Sequence, residues 1–249
     1  MITRKINHPW VCEMNNILKN NILKNSILII PAILLSFFIY LSIFHQLLYN
    51  EQFYDQQFQK MGIYNTFTKY QAMSETREVL SYIKDQDKGR ISSEFFSQRD
   101  KEHMIDVKAI IQGTYTFKWL FLTISLILII LIIVIAQENV LKTIYTALFF
   151  TSIFMVCLAV FLYLVEQLIP SAFSNAFLTF HKVFFTNDLW MLDPAKDNLI
   201  NLFPEQFFYT FLAKIFITGL YVGVIILVFL PILKYFYKLL LQIIKDFKK

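Results

Sequence analysis

The sequence predicts an all-α integral membrane protein with four transmembrane helices, both termini in the cytoplasm and two extracytoplasmic segments that form a cap. Three observations carry this expectation. Of 249 residues, 57% are hydrophobic and only 16% charged, more apolar than a soluble domain of this size. Four stretches, 26–44, 119–136, 143–165 and 215–233, contain no Asp, Glu, Lys, Arg or His. Each is long enough to cross a hydrocarbon core of about 30 Å. The net charge of +5 is concentrated at the ends, +3 over 1–25 and +4 over 234–249, whereas 166–214 sums to −2. Basic flanks mark the cytoplasmic side, so both loops face outward. A charge placed this way is a membrane signature and excludes nucleic acid as a partner.

Residues 1–25 form a basic cytoplasmic extension whose repeated Asn-Ile-Leu-Lys, at 16–19 and 21–24, fits a short interfacial helix. The apolar run that follows is too long, and lacks the small-residue site, for a cleaved signal peptide. Pro31 falls near the start of the first span, where it costs little. In the first extracytoplasmic segment, 45–118, ten basic residues balance ten acidic ones. Apolar periodicity predicts a helix over 71–85, and Asp87-Lys-Gly-Arg reads as a turn. Ser97 followed by Asp100 is an imperfect helix start, from which one helix runs on toward Trp119. Spans 119–136 and 143–165 make a hairpin. The second extracytoplasmic or interfacial segment, 166–214, is rich in Phe and broken by Pro170, Pro194 and Pro204. Pro204 suits the first turn of the last span, and 234–249 is a cytoplasmic basic tail.

Several chemistries are excluded. Two cysteines far apart, Cys12 and Cys157, provide neither a disulfide framework nor a thiolate metal site, and Cys157 reads as a small packing residue. Five glycines in all leave no phosphate cradle, and no Gly-x-Ser-x-Gly elbow supports a serine acyl-enzyme. No span carries a mid-membrane charge to mark a transport pathway.

The histidines remain. Arg99, His103 and Asp106 fall on one helical face, an imidazole flanked by a guanidinium and a carboxylate, beside Glu102. His181 lies in Phe-His-Lys-Val-Phe-Phe, an aromatic setting that favours the neutral, proton-accepting ring. The topology puts both rings on the same side of the membrane, where imidazole is the group best suited to exchange protons near neutral pH. Asp193-Pro194 reads first as a helix N-cap with proline at the first helical position. His45, at the end of a span, reads as a residue that snorkels to the interface. Neither loop shows a tight two-ligand spacing, so no metal is expected.

The blocks Gln98-Arg-Asp-Lys-Glu-His-Met-Ile-Asp-Val-Lys108, Phe180-His-Lys-Val-Phe-Phe, Asp188-Leu-Trp-Met-Leu-Asp-Pro194 and Leu202-Phe-Pro-Glu-Gln-Phe-Phe208 resemble the bacterial family of four-span membrane proteins that includes lipoprotein intramolecular transacylase. The resemblance covers roughly 26–235. It implies an enzyme, an acyltransferase of the bacterial cytoplasmic membrane with its site on the extracytoplasmic face. Such an enzyme needs no cofactor and acts on diacylglyceryl-modified lipoproteins among membrane lipids. The reaction it implies moves the sn-2 acyl chain to the α-amine of the N-terminal cysteine, giving a lyso-form lipoprotein. It further implies His103 and His181 as catalytic residues, with Arg99, Glu102, Asp106 and Asp193 in support. Arg99-Asp100 stands where an arginine-glutamate pair is usual. The residues alone leave open which histidine is base and which is acid. They also leave two other readings, an esterase or phospholipid-remodelling enzyme acting on free lipid and a non-enzymatic assembly factor. Nothing in the sequence sets the oligomeric state.

Overall fold

The computed structural model describes residues 21–84, 89–136, 139–169 and 171–247. Positions 1–20, Asp87 with Lys88, and Pro170 lie outside them, and with them most of the basic extension, Cys12 and half of the predicted turn. Among the described residues every regular element is helical: α1 (Asn21–Leu48), α2 (Glu51–Lys60), a 3-10 turn (Ile63–Asn65), α3 (Lys69–Lys84), α4 (Gln98–Ala136), α5 (Val140–Leu168), α6 (Ala172–Phe184), α7 (Asn198–Leu202) and α8 (Glu205–Phe247). Helices α1, α4, α5 and α8 are long and apolar enough to cross a membrane. They extend beyond the apolar stretches that mark them in the sequence. The 39 residues of α4 measure about 58 Å at 1.5 Å per residue, nearly twice the hydrocarbon thickness, so its charged first turns stand outside the span that begins at Trp119.

The chain divides into two compact units. One comprises residues up to Ile39, Lys118–Val160 and those from Gly219; the other comprises Tyr40–Phe117 and Phe161–Thr218.

In the first unit, a core of Leu28, Ile129, Ile132 and Ala147 joins α1, α4 and α5. Helices surrounded by lipid gain no hydrophobic drive from touching each other, so polar contacts and close packing decide which faces meet. Ser125 Oγ donates to Pro31 O on α1 at 2.8 Å. The Ser36 and Thr151 hydroxyls, both fully buried, each bond the carbonyl one turn back and also reach across between α1 and α5, Ser36 to Thr151 O and Thr151 to Ala32 O. Gly219 and Gly223, four apart on α8, are buried. A Cβ at Gly223 would stand 3.2 Å from Ser152 O and 3.1 Å from Val156 Cγ2 of α5. Even a methyl group there would press these backbones a few tenths of an ångström apart. Gly223→Leu is therefore expected to cost about 1–3 kcal/mol through overpacking, read as a lower Tm in detergent micelles. Cys157 is not a packing residue; it faces outward on α5, where a lipid-facing thiol costs nothing.

In the second unit, α2 is pinned by Asn50, whose side chain accepts the Phe53 N–H at 3.1 Å. It packs Phe53, Tyr54 and Phe58 against Phe203, Phe207 and Phe211, with ring centroids 5.2–6.2 Å apart. α3 buries Ala72, Met73, Thr76, Val79, Leu80, Tyr82 and Ile83, the apolar side of the helix expected over 71–85. His45 is not an interfacial residue. It is 7% exposed, stacks on Tyr115 at 3.8 Å and bonds Thr114 Oγ1 at 2.8 Å, because α1 continues four residues past the apolar span into this core.

Candidate active site

Helix α4 begins with a reciprocal cap. The Ser97 hydroxyl accepts the Asp100 N–H at 3.0 Å, and Asp100 Oδ2 accepts the Ser97 N–H at 3.0 Å. Asp100 also takes the N–H groups of Asn198 (3.0 Å) and Leu199 (3.3 Å), and the Ser97 hydroxyl donates to Asp197 at 2.6 Å. One carboxylate thus starts α4 and ties it to the second polar segment. From Asp100 the buried stripe runs through His103, Met104 and Lys108, whose ammonium sits 4.4 Å from the Tyr82 ring centre.

His181 comes from α6, where it is the buried residue of the helix. Its Nδ1 lies 2.7 Å from Phe177 O, one turn back. A carbonyl only accepts, so Nδ1 carries the hydrogen and, in the neutral ring, Nε2 holds the lone pair. Phe177, Phe180, Phe185 and Trp190 surround the imidazole at centroid distances of 4.4, 5.4, 5.4 and 5.0 Å. The His103 ring lies 6.3 Å from that of His181, and Phe185 packs edge-on against His103 at 4.9 Å. The two histidines, 6% and 9% exposed, are therefore buried side by side against the same aromatic ring, Phe185.

Burial first, and then the charge that His181 would carry, lower the His103 pKa to about 4, with Asp106 partly offsetting them. His103 is thus neutral at physiological pH. A pH–rate profile is expected to show no loss from His103 protonation until well below its ordinary 6.5. The same depression acts on stability: as pH falls from 6.5 toward 4 the unfolded chain takes up a proton that the folded site refuses, so stability from this group is lost over that window. Above 6.5 it has no effect.

The supporting residues are distributed differently from their place in the sequence. Arg99 does not touch the imidazole; its guanidinium donates to the carbonyls of Asp188 and Leu189. Asp106 makes no hydrogen bond to His103 and accepts one from Asn187 Nδ2 at 2.9 Å. Glu102 accepts from Gln98 on its own helix. Asp193 does not cap an α-helix: 194–196 form a turn in which its side chain accepts the Ala195 N–H, its ion pair with Lys196 is exposed, and its carboxyl is held below the usual range by those two bonds. The helix waits until Asn198, because Asp197 is extended, bonding Ser97 and the Asp193 N–H. Among the described residues no three His, Cys, Asp or Glu side chains cluster as a metal site. Phe185 belongs to the aromatic setting read around His181, but Trp190, Asn187 and the bonds that tie Asp100 to Asn198 and Leu199 were missed.

Residues 25–208 match the family model described as lipoprotein intramolecular transacylase Lit. No curated protein sequence matches the chain. Among solved structures, that of the membrane-integral lipoprotein intramolecular transacylase Lit from Bacillus cereus is similar, with a TM-score of 0.67 at 20% identity over 95% of this chain and 99% of that one. Two structures of that protein with a histidine substituted are similar to the same degree, with TM-scores of 0.66 and 0.67 at 19% and 20% identity; they cover 92% of this chain and 96% and 98% of theirs.

Proposed function

Because the chain belongs to the lipoprotein intramolecular transacylase family, we propose that it moves the sn-2 fatty acyl chain of a diacylglyceryl-modified cysteine onto that cysteine's α-amine, with His103 and His181 as the catalytic pair. It is a multi-pass membrane enzyme, an acyltransferase. The observation that carries the reading is the approach of two buried imidazoles, from separate segments of the chain, to 6.3 Å.

The hydrogen bond from His181 Nδ1 to Phe177 O selects the base, since it leaves Nε2 free to take the ammonium proton. The freed amine attacks the ester carbon, and the carbonyl oxygen becomes an oxyanion. His103, neutral because it is buried, stabilises that oxygen as a hydrogen-bond donor. Its Nδ1 is buried without a partner, which suits an atom reserved for the reacting group. The C–O bond to the glyceryl group then breaks, the imidazolium of His181 returns its proton to the leaving oxygen, the nitrogen gives up its second proton to water, and an amide and a free hydroxyl remain. No covalent enzyme intermediate is needed. Amine and ester belong to one molecule, so orientation supplies on the order of 7–11 kcal/mol of the barrier reduction.

The surroundings suit a lipid. Leu178, Phe180, Val183, Phe184 and Met191 are exposed around His181, an apolar skirt that acyl chains would cover. The site faces outward across the bacterial cytoplasmic membrane, with both termini inside, a reading that the basic ends support. An Asn187→Cys variant is expected to react with a membrane-impermeant maleimide in intact protoplasts; labelling only after lysis contradicts that orientation.

A further inference from the structure

The loop that leaves α6 brings Phe185 against both imidazoles and Trp190 against His181. What holds this loop is the same helix that carries His103. One turn before His103, Arg99 grips the carbonyls of Asp188 and Leu189; one turn after it, Asp106 accepts the Asn187 amide. The Asn187 amide is oriented without ambiguity, because its oxygen accepts the Leu189 N–H at 3.0 Å and a carboxylate can only accept from its nitrogen. A guanidinium and a carboxylate flanking an imidazole look, in sequence, like groups that tune it. In the structure both are spent on the loop.

We propose that Arg99 and Asp106 are positioning residues: they hook the loop at Asn187–Leu189 onto α4 and thereby seat Trp190 and Phe185 so that the two histidines keep their mutual register. This rests on the reading of His103 and His181 as the catalytic pair. Through the hooks, the helix bearing one ring sets the wall around the other. The role of Asp106 is then its hydrogen bond to Asn187, with its charge on His103 secondary.

The hook can be reversed without changing net charge. In the double variant Asp106→Asn with Asn187→Asp, the amide donates from α4 and the carboxylate accepts on the loop, while Leu189 N–H keeps an acceptor. The singles Asp106→Ala and Asn187→Ala are each expected to lower kcat about 10- to 100-fold with KM little changed, as for misplaced catalytic groups. The reversed pair is expected to return to near the wild-type rate. Arg99→Ala is expected to behave like the singles. Arg99→Lys is expected not to rescue, since an ammonium lacks the fork that spans two carbonyls. A second readout needs no substrate: acylation of His181 by diethyl pyrocarbonate, quantified on the full chain in micelles by peptide mass spectrometry. It is expected to speed up in the three alanine variants and to return to the wild-type rate in the reversed pair. A silent Asn187→Ala, or a reversed pair as impaired as the singles, overturns the proposal. So does a reversed pair that regains protection but not turnover, because the charge at Asp106 would then act on His103 directly. If the wild-type chain makes no N-acylated lipoprotein, the catalytic reading fails while the protection data still decide the hooks.

Discussion

His181→Ala is expected to cut N-acylation of lipoproteins to a small residual rate while the chain still folds into the membrane. General acid–base catalysis by a positioned imidazole contributes about 10²- to 10⁴-fold, and here one ring both removes the ammonium proton and returns it to the leaving oxygen. His103→Ala is expected to lose turnover on a similar scale, because a neutral donor aimed at the developing oxyanion is worth on the order of 10²- to 10³-fold. The two variants differ in pH response. Loss of the base at His181 is expected to leave a residual rate that climbs steadily with pH, as the free-amine fraction of substrate grows. Loss of His103 leaves the base in place and the shape of the profile unchanged. Quantitative mass spectrometry of lipopeptides from membranes assayed across pH 5–9 checks both. Full activity in either variant removes that ring from the mechanism.

Asp100→Ala is expected to be the most damaging change to stability. The side chain is fully buried and accepts the N–H groups of Ser97, Asn198 and Leu199. Its loss orphans these donors at about 1–3 kcal/mol each, so a cost of about 3 kcal/mol or more is expected, with lower Tm and slack between α4 and α7. Asp100→Asn keeps the accepting oxygen and is expected to be far milder. The charge itself is a liability: burial pushes the Asp100 carboxyl up, backbone bonds only partly oppose this, and Asp197 adds repulsion. A carboxyl raised in the folded state contributes stability below its ordinary pKa and loses it as pH rises through the raised value. The wild type is therefore expected to gain Tm relative to Asp100→Asn on acidification. A wild-type advantage that grows with pH contradicts this assignment.

The helices were legible in the sequence because apolar runs and charge placement are one-dimensional signals. The continuous α4 was readable from the Ser97 and Asp100 start and the absence of Pro or Gly until Gly113. Both histidines were singled out by chemistry and resemblance. What was not legible is who touches whom. Arg99 and Asp106 share a helical face with His103 in any helix, but only the fold brings Asn187, Asp188 and Leu189 within reach and diverts both charges to the loop. The cap at Asp193 was misplaced by one turn because the preference of Asp-Pro for starting helices yields to Asp197, whose extended backbone is fixed by partners 100 and four residues away. His45 was misjudged for a similar reason: a span boundary drawn by hydropathy cannot show that the helix continues into an aromatic core.

The chemistry left at a lipoprotein's first residue tests the acyl shift most directly. Tandem mass spectrometry of the N-terminal lipopeptide, from a lipoprotein co-expressed with this chain in cells lacking other N-acylating activity, reads it out. The expected product carries an acyl amide on the cysteine nitrogen and a single ester on the glyceryl group. A peptide that keeps both esters and a free amine, or loses one acyl chain to water without gaining the amide, contradicts it.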